Sequence, residues 1–509
     1  MNWIKRRMRK LIENKTLWFV MVTTYLLGFV THGYAFLNQF YSHDSIQAYR
    51  DYSNAMWAAK LGRYFYPVMN LIRGYYYPPL LIGFLSLTFV GLGAYLLLHI
   101  WEVKNRLWQA LIVGILVTCR ALTITYTTYM HDVDAYMLGF LSACVSLYLI
   151  RKKKPYIYFA PITVWLTCGL YQSYLFVTVS GLMILAILDL LENKETKVVL
   201  VEGLKAILTL VCGALLYFIG LPLFRRLYNI EYVVRKNSIT QLLQLTPSNV
   251  PTLLKGLYQQ FFERTFQPHL FHSQFVSILI WTLALVAFIV LIYRFKEVKR
   301  KDAILVVLVL LGLLPLGTYG IYLLTSGVVN DLMTYSLCLI YIFFILVISR
   351  YGKRPGWLTY FEAFSCVLVV CMLFDAIVYA NDSYLKKELE NRKTAAVMNR
   401  ILMRIEENEN YVPNETPIVF IGKLYENPYF SKYKDLDYSG AGIRYTSSIT
   451  YYDTYKRYLN IQMNYGIKIL DETTAKEYAV KEEVKQMPCF PDKDSIQYID
   501  DVLVIKISE

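Results

Sequence analysis

Long apolar runs are the feature that most constrains this chain of 509 residues. A helix needs roughly 20 apolar residues to cross a bilayer, and about eleven runs approach that length. Because only helices satisfy their own backbone inside lipid, the runs predict a polytopic α-helical membrane protein. The predicted spans are residues 16–37, 79–99, 107–126, 134–150, 156–170, 172–191, 198–221, 275–293, 303–324, 332–349 and 358–380.

The pair of runs on either side of Tyr171 leaves the number of spans open. The first run, 156–170, is short for a spanning helix. Residues 156–191 therefore form either one span or two, and the choice reverses the orientation of every later helix. Two spans are the working prediction.

The positive charge follows the apolar runs. Charged residues make up 18% of the chain, against about 25% in an average soluble protein. Residues 1–380 hold 34 basic and 17 acidic side chains, and 23 of those basic residues fall at alternate ends of the predicted spans. The positive-inside rule then places the N-terminus in the cytoplasm. The net charge of +14 thus reflects membrane orientation and predicts no nucleic-acid partner.

Two domains follow from this distribution. Residues 1–380 form the multi-pass membrane domain, whose first span is an uncleaved anchor rather than a signal peptide. Residues 381–509 hold 18 basic and 21 acidic side chains and are predicted to lie outside the cytoplasm as a soluble α+β domain. Its pattern predicts a helix over 385–405 and strands over 418–422 and 502–507.

Familiar nucleotide and metal motifs are absent from the sequence. There is no GxGxxG, no P-loop and no CxxC, and seven of the eight cysteines lie in apolar runs. The pair His269 and His272 has helical spacing for a metal but no nearby acid, so a structural role is favoured. No cofactor is predicted with certainty, and a divalent metal is left open.

The first predicted outer segment carries an acid and a cation. Asp44 follows His43 directly after the first span, and Arg63 follows in an amphipathic stretch. A carboxylate there could deprotonate an acceptor hydroxyl, and a guanidinium could hold a departing phosphate. Capping of the next helix by Asp44 is an equally good interpretation.

A second predicted outer turn carries His131, Asp132 and Asp134. The two carboxylates could bind an acceptor sugar, share a proton or ligate a cation, or one of them could cap the next helix. Arg120 lies within an apolar run about two turns away, and Asp132 or a lipid phosphate is its predicted partner. Snorkelling of Arg120 to the interface is the alternative.

Other polar residues on the same predicted side are weaker candidates. Tyr171 and Gln172 could donate hydrogen bonds to sugar hydroxyls, although interfacial tyrosines are common. Arg225 and Arg226, like Arg235 and Lys236, could bind lipid phosphate or anionic headgroups. A solvated loop face is the favoured alternative for these four cations.

These segments resemble those of the bacterial glucosyltransferase II family within the GT-C superfamily of membrane transferases. The resemblance rests on His43-Asp44, on Trp57 with Gly62-Arg63-Tyr64, on the 131–136 turn and on 169–173, and it covers roughly residues 19–349. Family members often carry two adjacent acids where this chain has His43-Asp44.

The resemblance implies a GT-C-like fold and transfer of a sugar, often glucose, from a polyprenyl-phosphate carrier to a cell-envelope glycan. It also implies inversion by single displacement at the outer face of the bacterial cytoplasmic membrane, with Asp44 as the base. The main alternative is a transporter or flippase of a lipid-linked glycan, which would need charged residues and broken helices near mid-membrane. A non-catalytic envelope scaffold is a third interpretation.

Overall fold

A computed structural model describes residues 13–46, 52–152, 155–233, 248–267, 273–352, 356, 358–430 and 447–509. Most of these residues are helical, and a small sheet lies in the tail. The first ten helices are α1 Lys15–Leu37, α2 Tyr52–Lys60, α3 Tyr66–Arg73, α4 Pro79–Ile100, α5 Arg106–Val117, α6 Arg120–Thr128, α7 Val133–Arg151, α8 Ala160–Leu170, α9 Leu175–Leu191 and α10 Thr196–Tyr228. The next six are α11 Val250–Phe266, α12 Phe275–Glu297, α13 Lys301–Tyr319, α14 Ile321–Leu324, α15 Cys338–Tyr351 and α16 Leu358–Glu406.

Ten helical stretches in the described ranges are long and apolar enough to cross a membrane. A further apolar stretch, Tyr156–Leu170, is shorter. At 1.5 Å per residue it extends about 22 Å, less than the roughly 30 Å of a hydrocarbon core. The prediction of about eleven full spans is therefore corrected to ten long stretches and one short one. The multi-pass, mainly helical fold is confirmed.

The chain breaks at Tyr171, so residues 156–191 form two helices. Tyr171 is extended, with φ −161° and ψ 111°, and ends α8, while a 3₁₀ turn over Gln172–Tyr174 leads into α9. The two helices also have different neighbours: α8 packs against α7 and α10, whereas α9 packs mainly against α13. The predicted division at Tyr171 is confirmed, but of the two predicted spans only the second is long enough to be a candidate span.

A second break divides the stretch Arg106–Thr128. Helix α5 ends at Val117, and α6 begins at Arg120 after Thr118 and Cys119. The nine residues of α6 lead to the turn Met130–Asp132 and then to α7. The break places Arg120 at the start of a short helix inside the bundle rather than in a continuous apolar span.

Small residues allow the first helices of the bundle to approach closely. A Cβ on Gly93 of α4 would lie 2.5 Å from the Phe140 ring of α7, and a Cβ on Gly83 would lie within 2.4 Å of Phe36 of α1. Any larger side chain would force these helices apart. Close approach of α1, α4 and α7 brings together the segment that follows α1 and the segments that precede α4 and α7.

Helix α16 runs without interruption from the last apolar stretch into the tail. Its 49 residues correspond to about 73 Å at 1.5 Å per residue. The domain boundary expected at Ala380 falls inside this helix. Its second half is amphipathic and packs Met398, Ile401 and Ile405 against the tail sheet, which agrees with the helix expected over 385–405.

The tail contains a mixed four-stranded sheet with helices on both faces. The strands are β1 Pro417–Ile421, β2 Lys468–Ile469, β3 Ile496–Ile499 and β4 Val502–Lys506, in the order β2-β1-β4-β3. Strand β1 is parallel to β2 and β4, and β3 is antiparallel to β4. Helices α17 Tyr452–Arg457, α18 Glu472–Ala479 and α19 Glu482–Gln486 complete the domain. Both predicted strands are confirmed to within one residue.

Side chains that alternate along β1 and β4 build two hydrophobic layers. Ile418, Phe420 and Leu503 face the end of α16, whereas Val419 and Val504 face α18 and α19. This period of two is what a strand buried on both faces requires. The α+β character expected of the tail is confirmed.

The tail clamps the segment that follows α1. Asn391 of α16 accepts a hydrogen bond from the Tyr41 amide at 3.1 Å and donates to its carbonyl at 2.9 Å. Gln462 donates to the Ile46 carbonyl at 2.6 Å, and Ile46 itself is fully buried in the tail core. The residues between Tyr41 and Ile46 are therefore fixed from the tail side.

Candidate active site

Asp44 lies in this clamped segment and remains partly open to solvent. Its side chain is 42% exposed, and one carboxylate oxygen lies 3.4 Å from Nε2 of His43. The turn is attached to the bundle by Ser42, whose hydroxyl accepts from the Asp44 amide and donates to the Thr128 carbonyl at 2.7 Å. Asp44 is thereby held beside the end of α6.

Tyr129 connects Asp44 to the interior of the bundle. It follows Thr128 at the end of α6, and its hydroxyl lies near the Asp44 carboxylate. Tyr129 also interacts electrostatically with Arg63 and Tyr171. Tyr129 thus neighbours both the exposed acid and the buried cation that the sequence singled out.

Arg63 is enclosed by aromatic rings. Its guanidinium lies 4.4 Å from the centre of the Tyr171 ring and 5.5 Å from that of Tyr136, and Nη1 donates to the Tyr136 hydroxyl at 2.7 Å. The Tyr136 and Tyr171 rings stack at 4.4 Å. The Nε of Arg63 is buried and has no hydrogen-bond partner within the part of the chain that the structure describes. The guanidinium therefore keeps a donor available for an anion.

Asp132 is also enclosed, but both of its carboxylate oxygens already accept hydrogen bonds. It accepts from the hydroxyls of Tyr136 at 2.9 Å and of Tyr66, and Nε2 of His131 lies 3.1 Å away. Asp132 stands at the N-cap position of α7 without a capping bond from its side chain. The capping interpretation is therefore wrong for Asp132, and its carboxylate instead connects three neighbouring side chains.

Asp134 is paired with an arginine that the sequence reasoning missed. Arg73 donates to it at 2.8 Å, and the side chains are 4% and 0% exposed. Arg73 also donates to Asn70 at 2.6 Å and to the His131 carbonyl at 2.7 Å. The sequence does contain a pattern that indicates this site, because Tyr66, Asn70 and Arg73 lie on one face of α3 at i, i+4 and i+7.

Arg120 does not pair with Asp132, which was one of its two predicted partners. It donates to Asp375 of α16 at 2.9 Å, at a position about 13 Å along α6 from Tyr129. Arg120 and Arg264 both line a cavity of ≈ 70 Å³, and Arg264 pairs with Asp331. The break before α6 turns Arg120 toward α16, which is why the local spacing to Asp132 was misleading.

Gln172 holds the loop that carries Arg63. Its amide donates to the Tyr217 hydroxyl at 2.9 Å and to the Leu61 carbonyl at 3.4 Å. Gly62 has a φ of +83°, and a Cβ there would lie 2.4 Å from the Tyr217 hydroxyl oxygen. This left-handed turn and its close neighbours favour glycine immediately before Arg63.

Arg225 and Arg226 lie in the last turn of α10 and are exposed. Arg225 pairs with Glu231 at 3.1 Å. The end of α10 reaches the Arg63 loop through Phe224 and Tyr228, which contact Tyr64, rather than through these arginines. Arg235, Lys236, His269 and His272 lie outside the described residues.

Metal ligation was left open by the sequence. Within the described ranges, no group of three or more His, Cys, Asp or Glu side chains is arranged to hold a metal ion. His43 with Asp44 and His131 with Asp132 are each a pair of neighbours.

Acids, arginines and tyrosines gather at one end of the helical bundle, beside the small α+β domain. This arrangement is that of a multi-pass membrane protein with a polar site at that end. The family model for Glucosyl transferase GtrII matches residues 33–349, and the chain belongs to that family. The family is one of glycosyltransferases, so the predicted resemblance is confirmed. The matched region contains the site residues from Asp44 to Arg226, and the tail lies outside it. No curated protein and no solved structure matches the chain.

Proposed function

We propose that this protein transfers a sugar, most simply glucose, from a polyprenyl-phosphate donor to a cell-envelope glycan, with Asp44 as the general base. The observation that carries the proposal is that Tyr129 neighbours both Asp44 and Arg63, and that Arg63 is enclosed by aromatic rings. A solvent-accessible carboxylate, that of Asp44, and a buried guanidinium, that of Arg63, therefore lie at the same end of the bundle. The lysines and arginines at the opposite ends of the spans support placement of this site at the outer face of a bacterial cytoplasmic membrane, with the N-terminus inside.

In the proposed reaction, Asp44 removes the proton of an acceptor hydroxyl as its oxygen attacks the anomeric carbon. The bond from that carbon to the phosphate oxygen breaks, and its electron pair leaves with the polyprenyl phosphate. Attack opposite the leaving group inverts the anomeric configuration.

Arg63 is the guanidinium proposed to stabilise the leaving phosphate, because its buried Nε has no partner among the described residues and Tyr129 neighbours both Arg63 and Asp44. Arg120 lies at the other end of α6, about 13 Å along the helix from Tyr129, and is paired with Asp375. It is the less suitable partner for a phosphate that must be one sugar ring away from the base.

The test is release of polyprenyl phosphate from polyprenyl-phosphate glucose by the purified protein with envelope glycan as acceptor. Asp44→Asn should lower the turnover by about 100- to 10,000-fold, the range for loss of a general base, without lowering the unfolding temperature. Asp302→Asn, which neutralises an exposed carboxylate, should retain activity. Full activity in Asp44→Asn would refute the assignment of the base.

A transporter or flippase of a lipid-linked glycan is the second candidate. The broken stretch at Thr118–Cys119, with the ion pair of Arg120 and Asp375 directly after it, favours this function. Protein reconstituted in liposomes with polyprenyl-phosphate glucose and no acceptor distinguishes the two. Transbilayer movement that is unchanged in Asp44→Asn, together with no phosphate release once the acceptor glycan is added, would establish the flippase.

A further inference from the structure

The tail contains a cavity at the carboxyl end of its central parallel strand. The cavity has a volume of ≈ 260 Å³ and is lined by the end of β1 through Lys423, by residues 449–455 and by one face of α18. Ligands of open α/β sheets bind outside the carboxyl ends of parallel strands. The volume is slightly below the range of about 300–1,000 Å³ for small-molecule sites, which suits a single sugar ring.

The wall of the cavity combines aromatic faces with an unused hydroxyl. Tyr451, Tyr452 and Tyr455 line it, and Tyr455 stacks on Phe420 at 4.4 Å. Thr450 also lines it and is 4% exposed, yet its Oγ1 has no hydrogen-bond partner among the described residues. Buried hydroxyls normally find a partner. An unused hydroxyl beside flat aromatic faces is what a ligand with hydroxyls and apolar C–H faces would complete.

The charges at the rim of the cavity already neutralise one another. Lys423 pairs with Glu426 at 2.9 Å, and Lys476 pairs with Glu472 at 2.8 Å. Burial raises the pKa of Tyr452 to about 12, so this phenol is neutral at physiological pH. Among the described residues that line it, the cavity therefore has no unbalanced charge to attract a phosphate or an acidic peptide, and an uncharged ligand fits it better.

Tyr451 connects this cavity to the candidate active site. Its side chain is 51% exposed at the rim, and its ring centre lies 6.4 Å from that of His43, the neighbour of Asp44. The segment from Tyr41 to Ile46 is fastened to the tail by Asn391, Ser448 and Gln462. A chain of sugar units in the cavity would thus pass Tyr451 and reach Asp44.

We infer that the tail cavity between β1, residues 449–455 and α18 binds an uncharged sugar unit of the acceptor glycan and guides the next unit to Asp44. This inference rests on the proposed function for the identity of the glycan as acceptor. It assigns a role to a domain that the family match leaves out.

The test measures binding of the full-length protein in nanodiscs to an array of bacterial envelope oligosaccharides, both neutral and acidic. The wild-type protein should bind neutral oligosaccharides. Ala479→Trp, which fills the cavity from α18, and Tyr451→Ala should each weaken binding at least tenfold. Thr450→Val should weaken it roughly threefold to tenfold, the loss expected for one hydrogen bond. Tyr429→Ala removes a tyrosine of the same domain that is 74% exposed and outside the cavity lining, so it should bind as wild type.

The transfer assay separates failure of this inference from failure of the proposed function. Ala479→Trp should raise the KM for the acceptor with an unchanged kcat and an unchanged unfolding temperature. Asp44→Asn should keep wild-type binding to the array. Binding to the array without any transfer by the wild-type protein would refute the proposed function and support the cavity as a carbohydrate site. Transfer with the same acceptor KM in Ala479→Trp and Tyr451→Ala, or binding of acidic oligosaccharides alone, would overturn the inference.

Discussion

Two acidic turns lie side by side at the same end of the bundle, and their carboxylates differ in exposure and in hydrogen-bond partners. Asp44 is 42% exposed and lies beside His43 and Tyr129. Asp132 and Asp134 are 8% and 0% exposed, and each is held by arginine, histidine or tyrosine donors. A carboxylate with every oxygen occupied has no place left for an incoming hydroxyl. The difference favours Asp44 as the acid that reacts and the other two as acids that hold the loops.

The largest effect expected from this comparison is on folding. Asp134→Asn should lower the free energy of unfolding by about 3–5 kcal/mol, because it leaves the buried Arg73 guanidinium without a counter-charge. Thermal unfolding of the purified protein in detergent measures the loss. The double variant Arg73→Met/Asp134→Leu should recover much of it, since no unpaired charge then remains.

Asp44→Asn is the matched control for that experiment, because the same substitution is made in the neighbouring acidic turn, at a half-exposed site. It should unfold at the wild-type temperature while losing transfer. Equal destabilisation by the two substitutions would erase the distinction between a reacting and a structural acid.

Tyr129 tests the link between the two turns and should give an intermediate effect. Tyr129→Phe keeps the aromatic ring at the end of α6 but removes the hydroxyl beside Asp44. Loss of one hydrogen bond to a charged group costs about 1.5–3 kcal/mol, which corresponds to roughly 10- to 150-fold in kcat/KM if the bond positions the base. Steady-state rates at varied acceptor concentration measure it.

Tyr335→Phe is a suitable comparison for Tyr129→Phe. It removes another buried hydroxyl, one that donates to the Leu116 carbonyl at 2.7 Å, away from both acidic turns. A rate loss in Tyr335→Phe equal to that in Tyr129→Phe would show that the effect comes from a general loss of stability of the bundle.

The sequence was most informative where local pattern decides structure. Apolar runs located the spans, and alternation of apolar residues located β1 and β4. A broken run at Tyr171 was visible because the following residues, Gln172 and Ser173, interrupt it. These features depend on neighbours in the chain, which is why they could be read directly.

Partners distant in sequence could not be read in the same way. Arg120 and Asp375 are 255 residues apart, and only the break before α6 and the course of α16 bring them together. The approach of Tyr451 to His43 depends likewise on how the tail folds back on the end of α1. Arg73 is the exception, since the polar face of α3 was visible and was overlooked.

The smallest effect is expected for the exposed cations at the end of α10. Arg225 is 54% exposed, and its partner Glu231 is 89% exposed. Such surface pairs contribute about 0–1 kcal/mol, and Arg226 is exposed as well. Arg225→Ala with Arg226→Ala should therefore change transfer by less than about fivefold, the rate equivalent of 1 kcal/mol.

Arg63→Lys keeps the charge but loses the guanidinium fork beneath Tyr136 and Tyr171, so it should reduce transfer far more. A double variant at Arg225 and Arg226 that is as inactive as Arg63→Lys would move the phosphate site from the enclosed arginine to the exposed pair.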